Sequence, residues 1–296
     1  MNNLALRAVS GTLYVALIIC SLIFSDLLFC ILCVIFGVLA IVEFDNLTSL
    51  AKGPDGKAMQ GEEPSLGMLS TDVYGLIALT LPCVGIFFFN NFSGMFVYCV
   101  AGALMWCLFV LLRFVQTLYQ KTGEAVKRLA CSMLGQVYIG VGLMCAQFLS
   151  LQSAGLVLLV FILIWINDTG AFLVGSAFGR TRLFPRLSPA KSWEGFFGGM
   201  LLGVVASIVL LYTGVTHSLI YYPILGPWET AFALPITVSI AGTLGDLFES
   251  MIKRSVGAKD SGNLIPGHGG ILDRIDSMLF AMPATVLLIL VCGLID

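Results

Sequence analysis

The chain of 296 residues is strongly apolar: hydrophobic residues make up 58% of it, charged residues only 11%, and the mean hydropathy is +1.00. Because an ordinary soluble domain carries about a quarter charged residues, this composition excludes a soluble globular fold. The formal net charge of −2 sums unevenly placed charges and predicts no partner by itself.

The apolar residues form blocks separated by short polar stretches. Blocks of about 17 to 22 residues match the roughly 20 that a helix needs to cross the hydrocarbon core, whereas membrane-spanning strands would alternate apolar and polar residues. We therefore predict an all-α, polytopic integral membrane protein with about nine transmembrane helices. The predicted spans are 12–24, 26–42, 73–89, 94–112, 132–149, 155–176, 195–214, 230–252 and 275–295.

The first half of the chain carries few signals besides its spans. Only Ser25 and Asp26 separate the first two blocks, which could form a tight helical hairpin or one long bent helix; we favour the hairpin. The stretch 43–72 contains Gly53-Pro54-Asp55-Gly56 and is typical of a flexible polar loop. We expect residues 1–150 to be a transmembrane scaffold with dimer contacts, and residues 151–296 to be the catalytic transmembrane domain.

The basic residues predict the orientation of the chain in the membrane. Loops on the cytoplasmic side are enriched in Lys and Arg. With the N-terminus in the cytoplasm, the predicted spans place all 15 basic residues on that side. We therefore expect a multi-pass protein of the cell inner (plasma) membrane, with its active site facing the cytoplasm.

Ionisable residues interrupt two of the predicted spans. Such residues are costly in lipid and mark an active site or a pathway by default, although each could also form a structural interhelical hydrogen bond. Asp168 follows a long apolar run, and Asp246 and Glu249 lie within the eighth span. Asp246, Glu249, Ser250 and Lys253 are spaced to share one helix face, which predicts a polar stripe that leads toward the cytoplasm.

Two more carboxylates lie at the start of the last span. Asp273 and Asp276 are spaced to lie on one side of a helix, and Asp246 can approach them if the last two helices are antiparallel neighbours. Three such carboxylates would suit Mg²⁺, which takes one or two carboxylates together with water and substrate phosphates. The alternative is that the acids only favour a helix N-terminus.

Two basic, glycine-containing stretches favour phosphate as a ligand. Glycines of the sequence Pro266-Gly267-His268-Gly269-Gly270 allow close approach of an anion, and Lys253, Arg254, Lys259 and Arg274 surround it with positive charge. We interpret His268 as a hydrogen-bonding residue and not as a general base. Residues 180–195 carry four basic side chains, which could mark the cytoplasmic side or hold a triphosphate or lipid phosphate. The neighbouring glycines are expected at helix packing points: 170, 175, 179, 195, 199 and 203.

These motifs together resemble those of the phosphatidate cytidylyltransferase family, also called CDP-diacylglycerol synthases. The likeness covers roughly residues 160 to 280. In the signature segment, residues 250–276, it rests on Ser250, Lys253, Arg254, Lys259, Asp260, Gly262, Pro266, His268, Gly269, Gly270, Asp273, Arg274 and Asp276. Upstream it rests on Asp168, Ala171, Phe172, Gly175, Gly179, Arg180, Ser188, Pro189, Lys191, Ser192, Glu194 and Gly195. Family members often have Tyr where Phe172 stands, and Asn or Lys where Ala190 stands.

The resemblance implies an enzyme that converts CTP and phosphatidate to CDP-diacylglycerol and pyrophosphate. It implies Mg²⁺, with a second metal ion left open, and a homodimer; membrane lipids are expected partners and nucleic acid is not. By similarity, Asp246, Asp273 and Asp276 hold the metal and Lys253 contacts phosphate. The other positions expected to bind substrate are Asp168, Arg180, Ser188, Lys191, Ser192, Glu194, Ser250, Arg254, Lys259, Asp260, His268, Gly269, Gly270 and Arg274.

Two other functions remain open at this point. A CTP-dependent lipid kinase of the dolichol kinase type would release CDP instead of pyrophosphate. An ion or solute transporter would also place carboxylates within its spans, but transporters often show repeated halves, and the signature segment has no second copy.

Overall fold

A computed structural model describes residues 3–49, 66–88, 92–120, 125–213, 225–262 and 269–295. Within these ranges the fold is helical apart from one short hairpin of strands, which confirms the predicted all-α class. The helices are α1 (Asn3–Phe24), α2 (Asp26–Ser49), α3 (Leu66–Phe88), α4 (Phe92–Leu118), α5 (Ala125–Gly135), α6 (Val141–Gln152), α7 (Ala154–Phe178), α8 (Trp193–Tyr212), α9 (Leu234–Ser255) and α10 (Leu272–Ile295).

The helices confirm a multi-pass membrane protein. Within the described ranges, eight helical segments are long and apolar enough to cross a bilayer, and a ninth apolar helix, Val9–Phe24, is shorter. One π-helical turn, Gln136–Gly140, joins α5 to α6 into a single segment, and another, Glu229–Ala233, precedes α9 directly. The nine helical segments correspond in chain order to the nine predicted spans.

The helices group into two compact units. The first contains the described residues up to Leu151 together with those between Ile252 and Arg274, and the second contains the rest. In the first unit, α1 ends at Phe24, α2 begins at Asp26, and the two helices pack against each other. The Tyr14 and Phe36 rings stack across this pair with centroids 6.0 Å apart, which confirms the predicted helical hairpin.

The prediction of a polar loop over 43–72 is wrong at both of its ends. Helix α2 continues to Ser49, and α3 begins at Leu66; residues 50–65 lie outside the described residues. The acidic residues in these helical turns are buried, with Glu43 8% and Asp72 1% exposed. Glu43 and Asp72 look like loop residues in the sequence, but in the structure they have partners distant in the chain.

A buried ion pair joins three helices of the first unit. The Arg113 guanidinium on α4 lies 3.1 Å from the Asp72 carboxylate on α3, and its Nε donates to Ser132 Oγ on α5 at 2.9 Å. The Ser132 hydroxyl also donates to Asp72, and Gln136 Nε2 donates to the Asp72 carbonyl oxygen at 2.7 Å. Because the Arg113 and Asp72 charges are paired with each other, the unit can bury them.

Glycines bring α7 and α8 together in the second unit. A Cβ atom on Gly199 would lie 2.5 Å from the Asn167 carbonyl oxygen, and one on Gly195 would lie 2.7 Å from the Ala171 carbonyl oxygen. Only hydrogen fits at these contacts. The predicted packing role of these glycines is confirmed.

A small antiparallel hairpin, absent from the prediction, connects α7 to α8. Its strands are β1 (Arg182–Phe184) and β2 (Ser188–Ser192), and Arg182 is paired with Ser192. The ladder continues through Trp193 N–H, which donates to the Thr181 carbonyl oxygen at 2.9 Å. Strand β2 therefore leads directly into α8.

Candidate functional site

Two side chains fix the hairpin to the start of α8. Ser192 is buried and caps the helix by accepting a hydrogen bond from Gly195 N–H at 3.1 Å. The Glu194 carboxylate accepts from the backbone N–H groups of Arg180 and Thr181 at 3.1 to 3.2 Å. Both side chains were predicted to bind substrate, and in this structure they shape the backbone around the site.

The second unit contains a cavity of about 730 Å³ between the ends of α7 and α8, the hairpin and α9. Its polar lining includes Asn167, Asp168, Ser176, Arg182, Lys191, Ser192, Thr243 and Asp246. Apolar side chains of Ala171, Phe172, Leu183, Pro189, Ala190 and Phe196 form the rest of the lining, with Gly175, Gly179 and Gly195. Three of the predicted packing glycines thus also border the cavity, which combines acids, cations and apolar surface.

An ion pair crosses this cavity. The Lys191 ammonium on β2 contacts the Asp246 carboxylate on α9, and their side chains are 28% and 34% exposed. Ser250, one helical turn beyond Asp246, donates to its Oδ1 at 3.3 Å. Because the pair is partly open to solvent, both groups remain accessible to a ligand. The fold thus brings together two residues that are 55 positions apart in the sequence.

Asn167 is a cavity residue that the sequence analysis did not select. It is 3% exposed, and its Oδ1 atom has no hydrogen-bond partner among the described residues. Buried polar atoms are nearly always paired. Its position directly before Asp168, at the end of an apolar run, was the signal that could have identified it.

Asp273 lies in the first unit and is surrounded by donors. Its Oδ1 is 2.6 Å from the Lys253 ammonium, and both side chains are 11% exposed. Its Oδ2 accepts from Ser261 N–H at 3.0 Å, from Ser261 Oγ–H at 3.0 Å and from Gly270 N–H at 2.9 Å. The carboxylate thus holds both ends of the loop between α9 and α10.

The same loop has a second carboxylate that sequence reasoning missed. Glu43, from α2, accepts hydrogen bonds from Ile271 N–H at 2.9 Å, Leu272 N–H at 3.0 Å and Ser261 Oγ–H at 3.1 Å. The sequence separates Glu43 from Leu272 by 229 positions. A lone acid beside a polar stretch carries no signal that could have identified it.

The remaining predicted residues occupy varied positions. The side chains of Arg180, Arg254, Lys259, Asp260 and Arg274 are exposed, and Ser188 is half-buried. Arg254 donates to the Ala258 carbonyl oxygen at 3.1 Å, and the Arg274 carbonyl oxygen accepts from Tyr14 at 2.9 Å. Gly269 has a φ of 80°, a conformation that favours glycine. His268 lies outside the described residues.

Asp276, on α10, lies close to Gly245 of α9. A Cβ atom on Gly245 would lie 2.5 Å from the Asp276 carbonyl oxygen, and Asp276 Oδ1 accepts from Ser277 N–H at 2.6 Å. Asp246, next to Gly245, belongs to the second unit with Asp276, whereas Asp273 belongs to the first. The convergence of all three carboxylates on one metal stays a prediction.

The described residues contain no group of three or more His, Cys, Asp or Glu side chains that could hold a metal ion. Two carboxylates, Asp168 and Asp246, nevertheless line one cavity with the unpaired Asn167 oxygen. Oxygen donors of this type suit Mg²⁺, which commonly keeps water and substrate phosphates as its other ligands. This donor set fits a metal held jointly by protein and substrate.

Comparison with known proteins identifies a family for this chain. The model of the family described as Cytidylyltransferase family matches residues 5–292. A protein from Staphylococcus epidermidis named phosphatidate cytidylyltransferase is 39% identical over 163 residues, which cover 54% of this chain and 59% of that protein. One of the same name from Staphylococcus haemolyticus is 38% identical over 184 residues, covering 62% and 66%. The matched part thus spans about three fifths of the length of these relatives.

Proposed function

The chain belongs to the cytidylyltransferase family, and on that premise we propose that it transfers the cytidylyl group of CTP to phosphatidate. A phosphate oxygen of the lipid would attack the α-phosphorus of CTP, and the bond from that phosphorus to the β-phosphate oxygen would break. The products are CDP-diacylglycerol and pyrophosphate. The names of the relatives support this choice of substrates.

The observation that carries the proposal is the Lys191–Asp246 pair in a cavity that also has apolar walls. A lipid phosphate and a nucleotide phosphate both need cations, whereas an acyl chain needs apolar surface. Lys191 and Arg182 provide positive charge in this cavity, and Phe172 and Phe196 provide apolar contact. A site that bound only water-soluble phosphates would not require the apolar contact.

The proposed reaction does not require a nucleophilic side chain. The phosphate of phosphatidate is already an anion, so the enzyme must align it with CTP and balance charge. We assign Lys191 to the phosphates, because a ligand phosphate can replace Asp246 as its partner. Lys253 is proposed to contact phosphate in the same way, by exchange with Asp273.

We propose Mg²⁺ as the cofactor, with Asp246, Asp273 and Asp276 as its carboxylate ligands. Asp168 is a further oxygen donor in the cavity with Asp246. The bound ion would neutralise charge on the reacting phosphates and polarise the α-phosphoryl group. The protein oxygens would leave coordination positions for substrate, since Mg²⁺ rarely takes an all-protein cage.

We propose that the cavity opens toward the cytoplasm at the inner (plasma) membrane. The hairpin that borders it carries Arg182, Arg186 and Lys191 in one short stretch, and basic loops favour the cytoplasmic side. CTP would arrive from water and phosphatidate from the bilayer at this boundary. A homodimer is proposed on the resemblance alone.

Product analysis tests the proposed function. Full-length protein in phosphatidate-containing vesicles is given CTP labelled at the α-phosphate, with and without Mg²⁺. We expect labelled CDP-diacylglycerol and an equal amount of pyrophosphate, both dependent on Mg²⁺. Release of CDP with a phosphorylated lipid alcohol would identify a lipid kinase instead, and solute movement without a labelled lipid would identify a transporter.

A further inference from the structure

Glu43 contacts both ends of the loop between α9 and α10, although it belongs to α2. On one side its carboxylate accepts from Ser261 Oγ–H, and on the other it accepts from the N–H groups of Ile271 and Leu272. Residues 263–268, between these contacts, lie outside the described residues. One side chain therefore forms hydrogen bonds to the signature segment on both sides of residues 263–268.

Two of the contacts of Glu43 satisfy backbone N–H groups at the start of a helix. The first N–H groups of a helix lack intrahelical acceptors, and Leu272 begins α10. Ile271 is 3% exposed and Leu272 is fully buried, so water does not readily replace the carboxylate. Loss of a partner would leave buried donors unsatisfied, which is costly.

The fit around the Glu43 carboxylate is close. A Cβ atom on Gly270 would lie 2.3 Å from Glu43 Oε2, and one on Gly262 would lie 2.8 Å from Oε1. Any larger residue at either glycine would displace the carboxylate. The two glycines thus leave just enough space for the Glu43 carboxylate. Gly262 follows Ser261, and Gly270 precedes Ile271, so each glycine is next to a residue that Glu43 contacts.

Glu43 is coupled to Asp273 through a shared donor. The Ser261 hydroxyl lies 3.1 Å from Glu43 Oε2 and 3.0 Å from Asp273 Oδ2, and its single proton can serve only one of them at a time. Gly270 N–H, one residue before the Glu43-bound Ile271, also donates to Asp273. A shift at Glu43 would therefore move the donors that orient Asp273 and, through it, Lys253.

We infer that Glu43 is a positioning residue for the proposed cytidylyl transfer: it sets the backbone of Gly270–Leu272 and thereby the orientation of Asp273 and Lys253. The inference rests on the proposed function. It assigns a role to the first half of the chain, which had been expected to serve only as scaffold and dimer contact. Among the described residues, Glu43 accepts hydrogen bonds from Ser261, Ile271 and Leu272, none of which is predicted to bind substrate.

The test compares Glu43→Ala and Glu43→Gln with two controls in the full-length protein. Asn46→Ala alters an exposed residue on the same helix. Asp72→Asn weakens a buried ion pair in the same unit without touching this loop. Steady-state kcat and KM for CTP and phosphatidate are measured in vesicles, and amide hydrogen exchange is measured for Ile271 and Leu272.

We expect Glu43→Ala to lower kcat by about 10- to 100-fold, because small misplacements of catalytic groups have effects of this size. The KM for phosphatidate should change by less than about twofold, since Glu43 does not bind the lipid. Glu43→Gln should show a smaller loss, because its amide oxygen can still accept one of the two N–H groups. Exchange at Ile271 and Leu272 should accelerate in both variants.

The controls separate positioning from general stability. Asp72→Asn should lower the unfolding temperature while keeping kcat and the exchange of Ile271 and Leu272, and Asn46→Ala should resemble wild type. Wild-type kcat in Glu43→Ala, or unchanged exchange at the two amides, would overturn the inference. If wild-type protein makes no CDP-diacylglycerol, the proposed function fails, and the exchange comparison still decides whether Glu43 positions the segment.

Discussion

The Lys253 ammonium lies 2.6 Å from Asp273 Oδ1, and both side chains are 11% exposed. The two groups form an ion pair at a largely buried position, so removing one of them alone takes a counter-charge from the other in a poorly solvated place. The pair also joins the end of α9 to the first turn of α10. It thus has both a structural role and a proposed chemical role.

A double-mutant cycle measures the structural role of this pair. Lys253→Met should lower the free energy of unfolding by about 3 kcal/mol, because the Asp273 carboxylate stays buried without its cation. Lys253→Met combined with Asp273→Asn should cost less than the sum of the single changes. Denaturant unfolding in detergent gives the values; strictly additive costs would contradict the coupling.

Asp246→Asn should reduce turnover by about 100-fold or more while the protein stays folded. The neutral amide binds a divalent cation much more weakly than the carboxylate does, and it no longer balances the Lys191 charge. The assay measures labelled CDP-diacylglycerol, and the unfolding temperature monitors folding. The matched control is Glu229→Gln, which also replaces a carboxylate by an amide but lies before the first turn of α9. Wild-type turnover in Asp246→Asn would contradict the assignment of Asp246 to the metal ion and of Lys191 to phosphate.

Gly269→Ala should inactivate the protein more than Gly257→Ala. Both glycines have a positive φ, 80° and 77°, so alanine costs about 1 kcal/mol of backbone strain at each. Only at Gly269 would the new Cβ atom meet Asp273 Oδ2, at 2.6 Å, because Gly257 has open space around it. Activity and unfolding are compared for both; equal loss of activity would mean that strain alone matters.

Gly199→Ala should destabilise the second unit by about 1 to 3 kcal/mol, the usual cost of overpacking. Its Cβ atom would meet backbone atoms of Asn167 and Ala171, which cannot move aside independently. Gly293→Ala, on α10, places its Cβ atom in open space and is the control. Thermal unfolding in detergent distinguishes them, and similar unfolding temperatures would contradict the close helix contact.

Arg113→Met should destabilise the first unit by about 3 to 5 kcal/mol, since it leaves the buried Asp72 carboxylate without its cation. Turnover per folded molecule should persist, because no proposed substrate group lies in this network. Arg128→Met, at a half-buried position on α5, is the control and should unfold almost like wild type. A stability loss shared equally by both variants would argue against a specific role for the ion pair.

Hydropathy was sufficient to predict the spans, because the bilayer imposes both the length and the apolar character of each helix. The helical hairpin at Ser25 and the glycine contacts of α7 with α8 also followed from local sequence. The prediction of a loop over 43–72 was wrong because it depended on contacts between distant residues. Glu43 and Asp72 look solvated until their distant partners are known. A hydropathy scale assigns each charged residue a fixed cost of burial and takes no account of the contacts that reduce this cost in the folded protein.

The hairpin of β1 and β2 could not be predicted from its residues. Its strands are short and rich in Arg, Pro and Ser, with no alternation of apolar and polar residues. Its geometry depends on the Ser192 cap and on the Glu194 carboxylate that accepts from Arg180 and Thr181. The cap is local, but the Glu194 contact joins the end of α7 to the start of α8 and forms only when these helix ends are close together.

The amino-acid sequence alone determined that this protein crosses the membrane many times and that its ionisable residues concentrate between Asp168 and Asp276, since composition and spacing are properties of the chain itself. The tertiary structure alone decided that Lys191 pairs with Asp246, that Asn167 borders a cavity and that Glu43 holds the loop before α10. A buried charge needs a partner within hydrogen-bonding distance, and that partner is chosen by helix packing and not by proximity in the chain.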